Sequence, residues 1–344
     1  MAVAERTYEA GIVRGLFRYA VGRGADPAAL TAGSGVDPAA LEDPDQRVPF
    51  EAYVALMRAA KSLTGDPALA LRYAEHVDFS EVSVVGLLTL ASRTMLEALE
   101  QMNRYGRLAV EVDGVAPAAD RFVLSRDGEA VWLTDTRQGP NLFPELTETT
   151  FGRMACGPRA MGMVPFVLAV EVTHPDPGYP EDYRRVFEAP VTFGAPRNAL
   201  RLNPAFLDAP VGRLPVYVFG VLSDRAAALL RKLESAETVR GRVEALLMPV
   251  LHRGDIGMED VAARLGVSRQ TLFRRLRAEG VTFEKVCDEL RHRLALHYLA
   301  NPKVSINEAA YLVGFSEPAA FSRAFKRWTG LSPRAFRAGG PGEA

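Results

Sequence analysis

The chain has 344 residues, 48% of them hydrophobic and 24% charged; that is more than one ordinary domain holds, and it excludes wholesale disorder. Two remote cysteines, Cys156 and Cys287, exclude a disulfide scaffold and a cysteine-rich zinc module, and no run of about 18 uncharged apolar residues is present to span a membrane. The formal net charge of −1 conceals a division, because residues 238–338 carry 17 Lys and Arg against 10 Asp and Glu, while the remainder carries 24 against 32. A basic end on an acidic body predicts that one end meets a polyanion and the other does not.

The opening segment MAVAERTYEAGIVRGLF mixes acids with apolar residues and lacks a small-residue cleavage site, so no signal peptide is expected. Residues 1–110 read as helices. Ile12, Leu16 and Tyr19 recur at helical spacing, as do Tyr53, Leu56, Met57 and Ala60, and Met95, Leu96, Leu99, Met102 and Leu108 mark a later helix. Asp26-Pro27, Asp37-Pro38, Asp43-Pro44 and Gly65-Asp66-Pro67 punctuate them, because proline fixes φ and removes a donor.

The period then changes. Phe122–Leu124 and Val131–Leu133, joined through Asp127-Gly128, predict a hairpin. A helix is expected from Phe143 to Met161, and extended segments at Phe166–Thr173, Val191–Phe193 and Ala199–Leu202. Residues 1–212 are therefore expected to form an α+β domain, helical in its first half with a small, mostly antiparallel sheet after it. Val216, Phe219, Leu222, Ala226, Leu229, Leu230 and Leu233 make a helical stripe in a connecting segment, 213–236. Such a stripe either docks on its own domain or forms a subunit interface; both readings stay open. An all-α domain is expected over 237–338, followed by a disordered tail at 339–344.

Two segments of the basic end resemble each other at an offset of 48 residues. Met258–Ser268 is followed by Arg269–Arg277, and Ile306–Ser316 by Glu317–Trp328. Each predicts a short helix, a glycine turn and a second helix. Ala262 and Ala310 supply the small residue needed where two helices cross steeply, and Gly266 and Gly314 permit the abrupt reversal. Ser268 is suited to cap the next helix, while Glu317-Pro318 offers a weaker cap followed by a proline suited to the first turn. Leu272 and Leu276 are expected to bury against Val261 and Leu265, and Phe321 and Phe325 beneath Ile306 and Leu312. That leaves Arg269, Gln270, Phe273, Arg274 and Arg277 outward in the first copy, and Ala319, Ser322, Arg323, Lys326 and Arg327 in the second. A helix with Arg and Gln along one side suits a major groove about 12 Å wide, where Arg reads guanine and Gln adenine.

Residues 237–338 resemble the DNA-binding domain of AraC/XylS-family transcriptional regulators. The resemblance rests on Ala309-Ala310, Gly314-Phe315-Ser316, Phe321–Trp328, Gly330–Pro333 and Phe336-Arg337. It implies two helix-turn-helix units joined by one long helix, here Phe283–Ala300 with Phe283, Val286, Leu290, Leu294 and His297 facing in. It further implies base readout by Gln270, Phe273, Arg274 and Arg323, and phosphate contacts from Ser322, Lys326, Arg327 and Arg334, with the two units on major-groove faces about 34 Å apart. Phe273 departs from a polar reader and suits a thymine methyl, and Ala319 has little reach. The implied setting is the cytoplasm, on nucleoid DNA, as a homodimeric activator partnered by RNA polymerase; the residues themselves do not choose between activation and repression.

Residues 8–212 resemble the ligand-binding domain of the OruR/VirS-like branch of that family through Leu41–Asp45, Arg47-Val-Pro49, Thr64–Pro67, Phe193–Ala195, Asn198–Leu200 and Leu207-Asp208. The branch implies sensing of a small molecule whose identity the residues leave open. Arg47, Arg197 and Asn198 can hold a carboxylate or tie loops to helix ends. Met154, Met161 and Met163 near Phe166 can line an apolar pocket or be plain core. His76 and His174 stand alone, so no metal or cofactor is expected. An enzyme is not expected: a repair methyltransferase fused to such a domain needs clustered cysteines, and no Gly-x-Ser-x-Gly, His-Glu-x-x-His, P-loop or clean dinucleotide fingerprint is present. The alternative for the N-terminal half is an architectural or dimerisation domain without effector.

Overall fold

The computed structural model describes residues 6–115, 119–212, 214–254, 257–301 and 303–339. Helices α1 (Ala10–Gly22), α2 (Pro27–Ser34), α3 (Phe50–Thr64), α4 (Leu69–His76), α5 (Phe79–Val82), α6 (Val84–Ala91) and α7 (Met95–Ala109) fill the first third of the chain. Side-chain caps start several of them: the Asp26 carboxylate accepts from the Ala29 amide at 2.8 Å, and Thr94 Oγ1 from the Glu97 amide at 3.2 Å. Ile12, Leu16, Leu56 and Met57, from the expected helical stripes, are fully buried.

The helical reading of this region missed a two-stranded antiparallel sheet, β1 (Thr7–Glu9) with β2 (Arg47–Pro49). Three residues are too few to display a period, and their pairing spans some forty positions of sequence.

A five-stranded sheet follows: β3 (Phe122–Asp127), β4 (Ala130–Asp135), β5 (Val167–Glu171), β6 (Val191–Thr192) and β7 (Asn198–Leu202), in the order β3-β4-β7-β5-β6. Only β5 and β6 run parallel. Val131 lies opposite Leu202, and Leu133 opposite Leu200, so alternate side chains line one buried face. α8 (Glu145–Ala160) and α9 (Pro180–Phe187) pack there with α7, placing Leu99, Phe151, Met154, Tyr183 and Val186 in one core with the strands. The sequence reading did not anticipate α9.

α10 (Val216–Glu237) is the expected connecting helix. Ala226 and Leu233 of its stripe are buried, while Phe219, Leu222, Leu229 and Leu230 are half-buried; Tyr217 is 82% exposed. The chain divides into two compact units, Met1–Leu230 and Arg231–Ala344.

The second unit holds α11 (Val239–Leu247), α12 (Met258–Arg264), α13 (Arg269–Ala278), α14 (Phe283–Ala300), α15 (Ile306–Leu312), α16 (Pro318–Thr329) and α17 (Pro333–Gly339). α14 occupies the expected span. Its inward residues differ in the second half: Phe283, Val286, Cys287 and Leu290 bury in one core, Ala295 and Leu299 in another, and Leu294 touches both, whereas His297 is exposed. One inward stripe cannot serve two cores on different sides of a helix, so the buried face shifts along it. Of the expected tail, Gly339 closes α17 and residues 340–344 lie outside the described residues.

Candidate nucleic-acid interface and effector cavity

In the first helix-turn-helix unit, α12 and α13 meet through buried Val261, Ala262, Leu272 and Leu276. Gly266 turns the chain at φ 67°, a conformation costly for any residue with a Cβ. Ser268 Oγ then accepts from the Thr271 amide at 3.1 Å and starts α13. Arg269, Gln270, Phe273, Arg274 and Arg277 all face solvent, and Phe273 is 48% exposed despite its apolar ring. Three of the five are engaged locally. Arg269 Nε pairs with Glu259 at 2.8 Å, and the Arg277 guanidinium lies 5.8 Å from the centre of the Phe273 ring. Gln270 and Arg274 have no side-chain partner among the described residues.

The second unit repeats the geometry with other means. Ser305 and Glu308 form a reciprocal capping box at the start of α15, with Ser305 Oγ accepting from the Glu308 amide at 3.0 Å. α16 starts with Pro318 and no side-chain cap from Glu317. Phe321 and Phe325 are fully buried as expected, but beneath Ala309, Ala310 and Val313; Ile306 is only partly buried, and Leu312, at the helix end, is exposed. Ala319, Arg323, Lys326, Arg327 and Arg334 are exposed and Ser322 is half-buried. Arg327 is held by Asp288 of α14 at 2.8 Å, and the Trp328 indole N–H donates to the same carboxylate at 2.8 Å. Arg323 and Lys326 have no side-chain partner among the described residues. Each recognition helix thus presents, on its outward face, an arginine without a side-chain partner among the described residues, Arg274 and Arg323.

The N-terminal compact unit, Met1–Leu230, contains a cavity of about 500 Å³. Its apolar wall includes Leu99, Met102, Phe122, Met154, Met161 and Phe166, so two of the three methionines line it; Met163 is core. Arg47, Arg197 and Asn198 do not line it, because each is committed elsewhere. Arg47 ties β1 to the end of α7, donating to Thr7 O at 3.0 Å, Thr7 Oγ1 at 2.9 Å and the Leu108 carbonyl. Arg197 pairs with Glu171 at 2.8 Å and covers the Trp132 ring, and Asn198 Oδ1 accepts from the Thr173 amide at 2.8 Å. They act as the loop ties that their chemistry also allows.

His174 is a satisfied core histidine, within 2.9 Å of the Tyr183 hydroxyl, which donates to Glu148 at 2.7 Å. Burial pushes the Glu148 carboxyl up to about 7, against the hydrogen bonds from Tyr183 and Tyr179. His76 lines the cavity rim and contacts the Arg72 carbonyl through Nδ1 at 2.8 Å. No group of three or more His, Cys, Asp and Glu suited to a metal occurs among the described residues.

Two arginines reach the cavity that sequence reasoning passed over. Arg121 forks onto Asp135 at 3.0 and 2.8 Å; burial raises the Asp135 carboxyl, but Arg121 and Arg137 outweigh it and hold that group below its ordinary value. Arg153 lies over the Tyr73 and Phe79 rings at 5.1 and 5.0 Å, with Nε and Nη2 buried and unbonded. Its signal was available: it is the single charged residue between Thr149 and Gly157.

Residues 24–211 match the family model described as the arabinose-binding domain of AraC transcription regulator, N-terminal, and residues 261–339 match a helix-turn-helix domain model. The chain is 27% identical over 318 residues to the ornithine utilization regulator of Pseudomonas aeruginosa, covering 91% of each. It is 26% identical over 326 residues to the HTH-type transcriptional regulator VirS of Mycobacterium tuberculosis, covering 92% of each. The crystal structure of transcriptional regulator CdpR from Pseudomonas aeruginosa aligns with 95% of this chain and 98% of its own, at 22% identity and a TM-score of 0.43. The chain belongs to the AraC family of DNA-binding transcription regulators, with an arabinose-binding-type domain before its helix-turn-helix domain.

Proposed function

We propose that this regulator reads an operator with both helix-turn-helix units at once and adjusts that grip when its N-terminal domain takes up a small molecule. α14 carries the two cores and so sets the recognition helices on successive major-groove faces about 34 Å apart. Gln270, Phe273 and Arg274 of α13, with Arg323 of α16, are the base readers. Ser322, Lys326, Arg327 and Arg334 contact the phosphates and position the helices, with Arg269, Arg277 and Ala319 also on the DNA-facing surface. For Arg327 this means exchanging Asp288 for phosphate, a low-cost exchange because the pair is exposed. The proposed division is a regulatory domain over 1–212, a connecting and dimerising helix over 213–236, and a DNA-binding domain over 237–338. The protein acts as a homodimer in the cytoplasm, on nucleoid DNA and beside RNA polymerase.

The observation that carries this reading is the pair of exposed recognition helices, each with an unpartnered arginine. Footprinting of the DNA upstream of neighbouring genes, with and without metabolite mixtures, tests it. Two protected faces about ten base pairs apart, altered by one mixture, are expected. A uniform, sequence-independent footprint that no mixture changes would instead favour an architectural DNA binder.

A further inference from the structure

The cavity of the N-terminal compact unit, about 500 Å³, lies in the range of roughly 300–1,000 Å³ usual for small-molecule sites. Most of its wall is apolar, so the charges on it decide which ligands it tolerates. Arg121 is paired with Asp135, a carboxylate it shares with Arg137, and the Asp78 carboxylate is exposed to solvent, accepting from the Ser80 amide and hydroxyl at 2.9 and 2.7 Å. Glu75 pairs with Arg185, and His76 with a backbone carbonyl.

Arg153 is the exception. A guanidinium stays protonated in any protein, and taking its N–H groups out of water without an anion is unfavourable. Yet no carboxylate pairs with Arg153 among the described residues: it meets the Tyr73 hydroxyl and the Tyr73 and Phe79 rings, while Nε and Nη2 are buried without an acceptor. The Tyr8 hydroxyl, on the same wall, is likewise buried and unbonded. The cavity therefore offers, on a mostly apolar wall, one arginine that no carboxylate pairs, with two open N–H donors, and the open Tyr8 hydroxyl. A carboxylate fits that fork bidentately and supplies the anion that Arg153 lacks. A phosphate brings more charge than this wall neutralises, and an amine meets a like charge.

We infer that this cavity takes an amphipathic monocarboxylate, its head group on Arg153 and its apolar body against Leu99, Met154 and Phe166. The inference rests on the sensing role proposed above and names the chemical class that role requires.

Calorimetric titration of the full-length protein with a matched series tests it: octanoate, octanol and octylamine, with naphthoate and naphthol as the aromatic pair. The acids are expected to bind saturably, each roughly tenfold or more tighter than its neutral partner, and octylamine weakest. Arg153→Met should bring acid and alcohol to equal affinity while leaving operator footprints intact. Met154→Trp should exclude both by filling the space. If the alcohols bind as tightly as the acids, if octylamine binds tightest, or if Arg153→Met keeps the preference for acids, the carboxylate assignment is overturned while the cavity stands as an effector site. If nothing in the series binds, the carboxylate assignment falls; the sensing role falls too only if no metabolite mixture alters the footprint of the same preparation. Should Arg153→Met fail to fold, the comparison of acid with alcohol on the unaltered protein still decides.

Discussion

In the first helix-turn-helix unit the turn glycine, Gly266, sits in open space, whereas a Cβ on its counterpart Gly314 would stand 2.2 Å from the Leu251 carbonyl oxygen. The same contrast runs through both units. α13 begins on a serine cap, its core is mostly aliphatic with Phe283 as its one buried ring among the described residues, and its outer face carries Arg269, Gln270, Phe273, Arg274 and Arg277. α16 begins on a proline without a side-chain cap, and Phe321, Phe325, Phe315, Trp328 and Phe336 pack around it. Its outward Arg327 and its Trp328 are bound to one carboxylate of α14. The first unit is the more open to DNA and the second the more tightly braced to its neighbours. On the proposed reading, the first copy does most of the base reading and the second most of the anchoring.

The largest effect that sharpens this contrast should come from the aromatic core. Phe325→Ala removes a fully buried ring and should cost roughly 3–5 kcal/mol, enough to unfold the second unit and abolish operator binding. Leu276→Ala in the first unit should cost less in a denaturant titration followed by circular dichroism; a larger loss there would reverse the assignment of anchor. Next come the turns. Gly266→Ala meets only the strain of a positive φ, roughly 1 kcal/mol. Gly314→Ala meets the same strain and a backbone carbonyl, and should lose about 2–4 kcal/mol. Equal losses at the two glycines would mean that the segment behind Gly314 yields, and that the second turn is no more constrained than the first.

How much of this was legible in the sequence follows the range of the interactions involved. The two units could be read because Ala262, Gly266 and Ser268, or Ala310, Gly314 and the following aromatics, act within a dozen positions of each other. The linker helix Phe283–Ala300 was legible for the same reason, but its inward face was not, since the shift from Leu290 to Ala295 is dictated by which unit each half contacts. The offset shows the same limit. It is 48 through the turns, yet α13 begins at Arg269 and α16 at Pro318, one residue later than that offset predicts, because Glu317 takes the place before the helix. In the first unit of the chain, the pairing of Thr7–Glu9 with Arg47–Pro49 left no local period. Arg47 and Asn198 carry the right chemistry for a carboxylate, and only their partners reveal that it is used inside the fold. Arg153 stood out as a lone charge, but its lack of a partner is a three-dimensional fact.

A smaller effect should separate reading from anchoring on the DNA itself. Arg274 faces solvent with no partner to give up, so its guanidinium is available for two acceptors on a guanine edge. Arg274→Ala should weaken operator binding by about 1–3 kcal/mol and relax preference at one base position, with little change on random DNA. Equal weakening on operator and random DNA would make Arg274 a phosphate contact and remove the first unit's claim to be the reader.

The smallest effect belongs to Lys326, and it distinguishes the two roles by salt rather than by sequence. Its ammonium is exposed on α16 with no partner among the described residues. A point charge of that kind on a phosphate releases about one counterion, so Lys326→Ala should reduce the slope of log K against log salt by about 0.9 and weaken all sequences alike. Arg327→Ala starts from a different state, since this arginine leaves Asp288 when it meets DNA and the carboxylate is then left near the phosphates. Part of its gain is cancelled, and its salt slope should change by less than that of Lys326→Ala. Binding titrations on operator and random duplexes across a salt series measure both. A sequence-dependent loss at Lys326 would place a base reader on the braced helix, and the division of labour between the two units would then have to be redrawn.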